Sequence, residues 1–370
     1  MNDYPQLPRR SFLALTAWSL ASCGGGSGGF AGMPGTGGTG IYSFGSISGF
    51  GSVIVGGVKY DDLQAVVQID GITATSADLR LGMVASVLGK PGASSLLGIA
   101  SNIEVWSIAQ GAVSQVVAGQ FVISGMTVQT DTSTIFDGIN AAAPLVAGQR
   151  VSVWGLQATA DGQRWKASRV AVTSANAVVC SGLVSVVGTL RFINGLLLTG
   201  LLAANLSAGL LVRVQGTLSA AGDSLLVENV KLPDDDSSPE RQCDAEIEGV
   251  VTSALSGNRF MLGSTQVDIS NAVFSPTTLQ ITVGAHLEVH GTWEGALLKA
   301  TKIEVEDDET LGGVEIVARI TEFTSLSNFV VRSQRCDASG VTTVKNGTLA
   351  DIKVGAKVHL KGIKMGDVVK

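Results

Sequence analysis

An octapeptide of the form Gly-x-x-(Ala/Val/Leu)-x-(Val/Leu)-x-Gly occurs five times in the 370 residues, at Gly82–Gly89, Gly148–Gly155, Gly209–Gly216, Gly284–Gly291 and Gly355–Gly362. Successive copies start 61 to 75 residues apart. Self-similarity of this kind means that one supersecondary unit is copied along the chain. A second piece precedes each octapeptide: Gly45-Ser46-Ile47-Ser48, Gly111-Ala112-Val113-Ser114, Gly182-Leu183-Val184-Ser185, Gly249-Val250-Val251-Thr252 and Ala318-Arg319-Ile320-Thr321. A third follows, seen as Ile103-Glu104-Val105, Arg169-Val170-Ala171-Val172, Glu228-Asn229-Val230 and Lys302-Ile303-Glu304-Val305. Each piece alternates apolar and polar residues, the period of a strand with one buried face.

Between the first piece and the octapeptide the chain reads as a hairpin, as in Phe121-Val122-Ile123-Ser124-Gly125-Met126-Thr127-Val128-Gln129, where Gly125 marks the turn. Counterparts turn near Gly56-Gly57, Asn194-Gly195 and Gly263, and Asp161-Gly162 and Glu294-Gly295 announce a last strand. About five short strands per copy bury little as a flat sheet and are expected to close on themselves. The expected fold is all-β, a tandem array of about five small five-stranded modules, barrel-like and OB-like, with a single helical turn over Ser76-Ala77-Asp78-Leu79-Arg80-Leu81. The modules are expected at 41–107, 108–173, 178–232, 244–306 and 314–370, with acidic linkers at 233–243 and 307–313. Proline is expected only outside the strands, because it cannot donate to a ladder. The run from Phe192 to Val212 is long enough to span a bilayer, but Gly195, Gly200 and Gly209 place it on the strands of the third module. Aligned on the fourth copy, the fifth stops where Ala300–Val305 would follow. About six residues of its closing strand are therefore expected to be missing, which leaves an unpaired edge, either because the sequence is a piece of a longer one or because another chain completes the edge.

The N-terminus reads Pro8-Arg9-Arg10-Ser11-Phe12-Leu13, then an apolar run to Leu20 and Ala21-Ser22-Cys23-Gly24. A basic start, a short apolar stretch and a small-residue site make residues 1–22 an export signal rather than a membrane span. Arg9-Arg10-Ser11-Phe12-Leu13 resembles a twin-arginine export motif, and Leu20-Ala21-Ser22-Cys23 resembles the lipobox of bacterial lipoproteins. That resemblance implies that Cys23 becomes the first mature residue and carries acyl chains, which hold a protein stably on a bilayer. Gly24 in second place implies sorting to the outer membrane. Residues 23–40 are Gly-rich and read as a flexible tether.

The repeat also resembles a known family. Its order of Gly-x-Val, a turn at Gly, Leu-x-x-Gly-x-x-Val-x-Val-x-Gly and Lys-Ala-x-x-Ile-Glu-Val is similar to the bacterial domain-of-unknown-function family numbered 5666, whose tandem copies occur in exported proteins. The fourth copy carries the pattern most fully, in Val283–Gly291 and Leu298–Val305, whereas the first departs at Ala85 and the third has a shortened middle. The family has no assigned chemistry, so the resemblance implies a fold and transfers no site residues.

Composition excludes several functions. A formal charge of −6 removes the basic footprint of a phosphate-backbone binder, so nucleic acid is not an expected partner. With three His, namely His286, His290 and His359, and no Cys-x-x-Cys, structural zinc and most His-based catalysis lack raw material. Gly35–Gly40 fits a dinucleotide fingerprint without a strand before it or a helix after it, and no cofactor is expected.

Four constellations carry possible chemistry. His286, Glu288 and His290 project from one face of the fourth octapeptide strand and are candidate metal ligands. The two His are about 13 Å apart on a straight strand, so one His-Glu pair at most serves one ion, and a solvated polar face is the plainer reading. Asp234-Asp235-Asp236 and Glu304 with Glu306-Asp307-Asp308-Glu309 read as solvated linkers or calcium sites. Cys180 and Cys243 each precede the opening strand of a module, and a disulfide between them would clamp modules three and four, leaving Cys336 free. Trp154 and Trp165 are expected on the outer side of the second module, stacking on sugars or covering a neighbour.

The functional expectation is a non-enzymatic, exported and lipid-anchored envelope protein, a repeat scaffold or a ligand- or surface-binding array. Its partners are the bilayer, through acylated Cys23, and an envelope protein or polysaccharide. The alternatives are a metal-binding or oligosaccharide-binding exported protein and, last, an enzyme.

Overall fold

Each octapeptide is a strand, and its two glycines meet different needs. The first has a positive φ, +74° at Gly82, +86° at Gly148, +77° at Gly209, +90° at Gly284 and +86° at Gly355, where a side chain is strained. Its N–H donates to the opening strand, from Gly82 to the Ile47 carbonyl at 2.9 Å and from Gly284 to that of Val251 at 2.8 Å. The second glycine sits at a β-bulge, where the register shifts at Leu88/Gly89, Trp154/Gly155, Gln215/Gly216 and His290/Gly291. A Cβ there would collide with the carbonyl oxygens of Ile99, Lys166, Leu226 and Lys299, respectively, and Gly362 meets that of Lys370 in the same way.

The computed structural model describes residues 41–94, 96–232, 243–305, 313–341, 344–365 and 367–370. In barrel I, residues 41–105, Ile41–Phe50 pairs with Val53–Val55, which pairs with Val58–Asp61. That third strand lies parallel to Leu97–Val105, which pairs with Val84–Pro91, which returns to Ile41–Phe50. The order first, second, third, fifth, fourth, first, with a parallel third–fifth pair, is an OB-like closed barrel.

The same circuit closes in barrel II, residues 109–172, and in barrel III, residues 178–231. It closes in barrel IV, residues 244–305, with the first two strands joined through the Val251–Leu262 bridge. A helical turn, at Ser76–Asp78, Leu201–Ala204 and Leu349–Asp351, precedes the fourth strand in barrels I, III and V. The run Phe192–Val212 is divided among strands and that turn, and among the described residues no helix is long and apolar enough to cross a membrane.

Barrel V, residues 313–369, closes through a last strand of only two residues, which is short where its alignment on the fourth copy leads one to expect. Val368–Val369 pairs antiparallel with Lys364 and Met365 and parallel with Arg335 and Cys336, and Ile363 and Lys370 exchange both backbone hydrogen bonds at 2.7 and 2.8 Å. This last strand has two residues, whereas those of the other barrels have eight or nine. Pro91 is the last residue of its strand, a small correction, since no ladder continues beyond it.

Order in sequence does not set neighbours in space. The opening strand of barrel I pairs in parallel with that of barrel IV, Ile41 to Phe44 against Asp244 to Ile247, and with that of barrel V, Gly49 and Phe50 against Glu315 and Ile316. The opening strands of barrels II and III pair through Gln110–Val179 and Ala109–Cys180. Ile41–Phe50 is thus covered on both faces: Ile47 enters its own barrel, while Tyr42 packs with the core of barrel IV. Val314, Ile316 and Phe329 of barrel V join the core of barrel I in one continuous apolar cluster. Polar contacts fasten barrels II and III to barrel I, with Ser168 Oγ donating to the Gly82 carbonyl at 2.6 Å and Arg213 Nη2 to the Asp70 carboxylate at 2.7 Å.

Candidate functional site

Ala245 and Ile247 turn into barrel IV, which leaves Glu246, Glu248 and Val250 on its outside. In register they stand opposite His290, Glu288 and His286, and on the next strand Lys302 and Glu304 stand opposite His290 and Glu288. Three strands therefore carry one polar ladder. His290 Nε2 lies 3.0 Å from Glu288 Oε1 and 3.2 Å from Glu304 Oε2, and its Nδ1 lies 3.9 Å from Glu246 Oε2. Donor atoms of Glu246, Glu288 and His290 all fall within 4.8 Å of one another. His286 Nε2 approaches Glu248 Oε1 to 3.0 Å, but the contact is not aligned as a hydrogen bond, and both ring nitrogens are buried without a hydrogen-bond partner.

Barrel I covers this ladder, so the expected solvated face is not found. The Ser46 N–H donates to Glu248 Oε2 at 2.6 Å. Gly45 and Gly56 pass so close that a Cβ would press on the Glu248 and Glu246 carboxylates. Only 9% of the His286 side chain and 6% of the Glu248 side chain are exposed, against 15% for Glu288 and 17% for His290. The candidate ligands His286, Glu288 and His290 share a face as the strand period required. Glu246 and Glu248 escaped sequence reasoning, although the alternation in Asp244-Ala245-Glu246-Ile247-Glu248 was the signal that could have found them.

Two cavities lie between barrels. One, of about 220 Å³, borders the ladder and is lined by Ser46, Gly82, Ser133, Lys166, Glu248 and His286 among others. The other, of about 180 Å³, opens among barrels I to IV and is lined by Phe44, Trp106, Leu156, Trp165, Arg213 and Lys231 among others. Lys231 Nζ stands 4.1 Å and Arg213 Cζ 4.9 Å from the centre of the Trp106 ring, within cation–π range. Arg213 Nη2 donates to Asp70 at 2.7 Å and its Nη1 has no partner; burial lowers the guanidinium pKa and Asp70 opposes that.

The expectation of an outer face is corrected for Trp165, whereas Trp154 does lie on the outer side of barrel II and covers a neighbouring barrel. Trp165 fills the core of barrel II and its Nε1 donates to the Gly162 carbonyl at 2.8 Å, while Trp154 is buried against the core shared by barrels I and V. Close packing of barrels leaves no free outer face at either position. The expected Cys180–Cys243 disulfide is not formed: the two thiols sit in separate apolar cores, Cys336 is buried as well, and burial pushes the Cys180 thiol up to about 12. Arg9, Arg10, Cys23, the tether, Asp234-Asp235-Asp236 and Glu306-Asp307-Asp308-Glu309 lie outside the described residues.

Fold and ladder together define a protein of clustered OB-like barrels whose outer faces meet one another. A family model described as domain of unknown function (DUF5666) matches residues 110–171, 248–304 and 317–369. These segments fall on barrels II, IV and V, which are similar to the repeats of that family. No curated protein and no solved structure matches it.

Proposed function

We propose that this chain is a non-enzymatic envelope protein, held on the outer membrane by acyl chains on Cys23, whose clustered barrels act as a scaffold that binds a ligand or surface partner. The observation that carries this reading is where the polar side chains of the repeat go. Glu248 accepts from Ser46, Glu315 from Lys59, Arg169 donates to the Leu81 carbonyl, and Arg213 donates to Ser107 and Asp70. Groups that a reaction centre would hold ready for substrate are engaged between barrels instead. Export and anchoring are supported by Arg9, Arg10 and the Ala21-Ser22-Cys23 sequence. Partners in that setting are the bilayer and an envelope protein or polysaccharide.

Expressed with labelled palmitate, the full chain is expected to take up label and to sediment with outer membranes, and Cys23→Ser to do neither. An unlabelled, soluble wild type would sink the anchor. Turnover by the purified full chain on a panel of esters, phosphoesters and glycosides would sink the non-enzymatic part. Oligosaccharide binding is a second reading, favoured by Trp106 on the four-barrel cavity. Titration of Trp fluorescence with envelope glycans tests it, and a flat response removes it.

A further inference from the structure

We propose that Glu246, Glu288 and His290 form a site for one divalent cation of the zinc class, on the face of barrel IV that barrel I covers. The three residues offer two carboxylate oxygens and an imidazole nitrogen within 4.8 Å of one another. Donors around a zinc ion stand about 2.0–2.2 Å from it, so they lie up to about 4 Å apart, and a small rotation of each side chain brings these three onto one ion. Imidazole beside carboxylate favours zinc or manganese over calcium and magnesium, which take oxygen ligands.

Two independent observations point to a ligand there. His286, nine-tenths buried, lines the adjoining cavity with Glu248 and Glu288; its Nδ1 has no hydrogen-bond partner, and its Nε2 lies 3.0 Å from Glu248 Oε1 without the alignment of a hydrogen bond. A buried polar group without a partner is uncommon unless something is to be bound. The ladder is also rich in carboxylates: Glu246, Glu248, Glu288 and Glu304 face two imidazoles and Lys302. A dication would relieve that crowding at a place where Gly45, Ser46 and Gly56 hold the same carboxylates away from water. Nothing in this inference depends on the membrane anchor or the scaffold reading, and it survives or fails separately.

The test uses the purified full chain, stripped with a chelator and titrated with zinc alone by calorimetry and by thermal unfolding. The expected result is one ion per chain and a raised Tm, with magnesium and calcium ineffective at the same concentration. Glu288→Gln, which keeps the shape of the side chain, and His290→Ala are expected to weaken zinc binding at least ten-fold, and His359→Ala in barrel V to leave it unchanged. X-ray absorption at the zinc edge of the wild type supplies a readout independent of any variant, with at least one imidazole in the ligand shell expected. No zinc bound, equal affinity in a folded Glu288→Gln, or a shell without imidazole overturns the proposal.

Discussion

In barrel V, Glu315 occupies the strand position that Glu246 occupies in barrel IV, and the two are surrounded by opposite charge. Lys59 Nζ donates to both Glu315 oxygens at 2.7 and 2.8 Å, His359 Nε2 lies 2.9 Å away and Lys361 Nζ 3.3 Å away. The Lys59 contact and its companions hold the Glu315 carboxyl at about 2. The fourth octapeptide instead has His286, Glu288 and His290 where the fifth has Lys357, His359 and Lys361, which gathers carboxylates where barrel V gathers cations. The backbone positions are equivalent, so the repeat supplies geometry and leaves the charge to individual copies. Glu315 of barrel V is met by Lys59 of barrel I and by its own His359 and Lys361, whereas Glu246 of barrel IV shares its face with three further carboxylates, two imidazoles and Lys302.

The largest test of this comparison concerns the ladder itself. Gly291→Ala places a Cβ on the Lys299 carbonyl inside a strand paired along eight positions, whereas Gly362→Ala meets the carbonyl of the last residue, Lys370. Overpacking of the first kind is expected to cost about 3 kcal/mol and the second less than about 1 kcal/mol, because a two-residue strand can shift. Equal losses in urea unfolding would break the contrast.

A middle-sized effect comes from Lys364, whose ammonium is buried beside Ser133. Burial first, and repulsion from Arg169 second, bring its pKa down to about 7. Between that value and the ordinary lysine range the unfolded chain binds the proton and the folded one does not, so stability rises with pH. The gain approaches about 1 kcal/mol per pH unit above pH 7, and Lys364→Met is expected to flatten it in melts at pH 7 and 9.

The smallest effect is Lys59→Ala. The depressed Glu315 carboxyl contributes stability above the ordinary glutamate range that is lost as pH falls toward 2. Removing Lys59 is expected to shrink that acid loss by under about 1 kcal/mol, since the pair is partly exposed. A larger change in acid titration would mean that barrel V depends on its ion cluster as much as barrel IV on its covered ladder.

Much of the barrel was legible because its constraints are local. A positive φ at Gly82 or Gly284 and a bulge at Gly155 or Gly291 restrict single residues, and such restrictions recur at fixed spacing. The shared face of His286, Glu288 and His290 follows from the strand period alone. Glu246 became part of the site only through cross-strand register, in which it stands opposite His290. Trp165 was misplaced, and the partner of Trp154 left open, because alternation says which residues share a face and is silent about whether that face meets water, a barrel core or another barrel.

By itself, then, the sequence determined an all-β repeat that resembles a known family and the glycine-marked turns of its copies. Tertiary structure alone decided that Ile41–Phe50 lies between the opening strands of barrels IV and V and that the carboxylate ladder is covered. The reason is physical: a hydrogen-bonded strand edge is the same for every sequence, so which edges join depends on side-chain fit across the contact. Gly45, Gly49 and Gly56 permit that fit through the Cβ they lack, an absence that leaves no pattern until the opposing chain is in place.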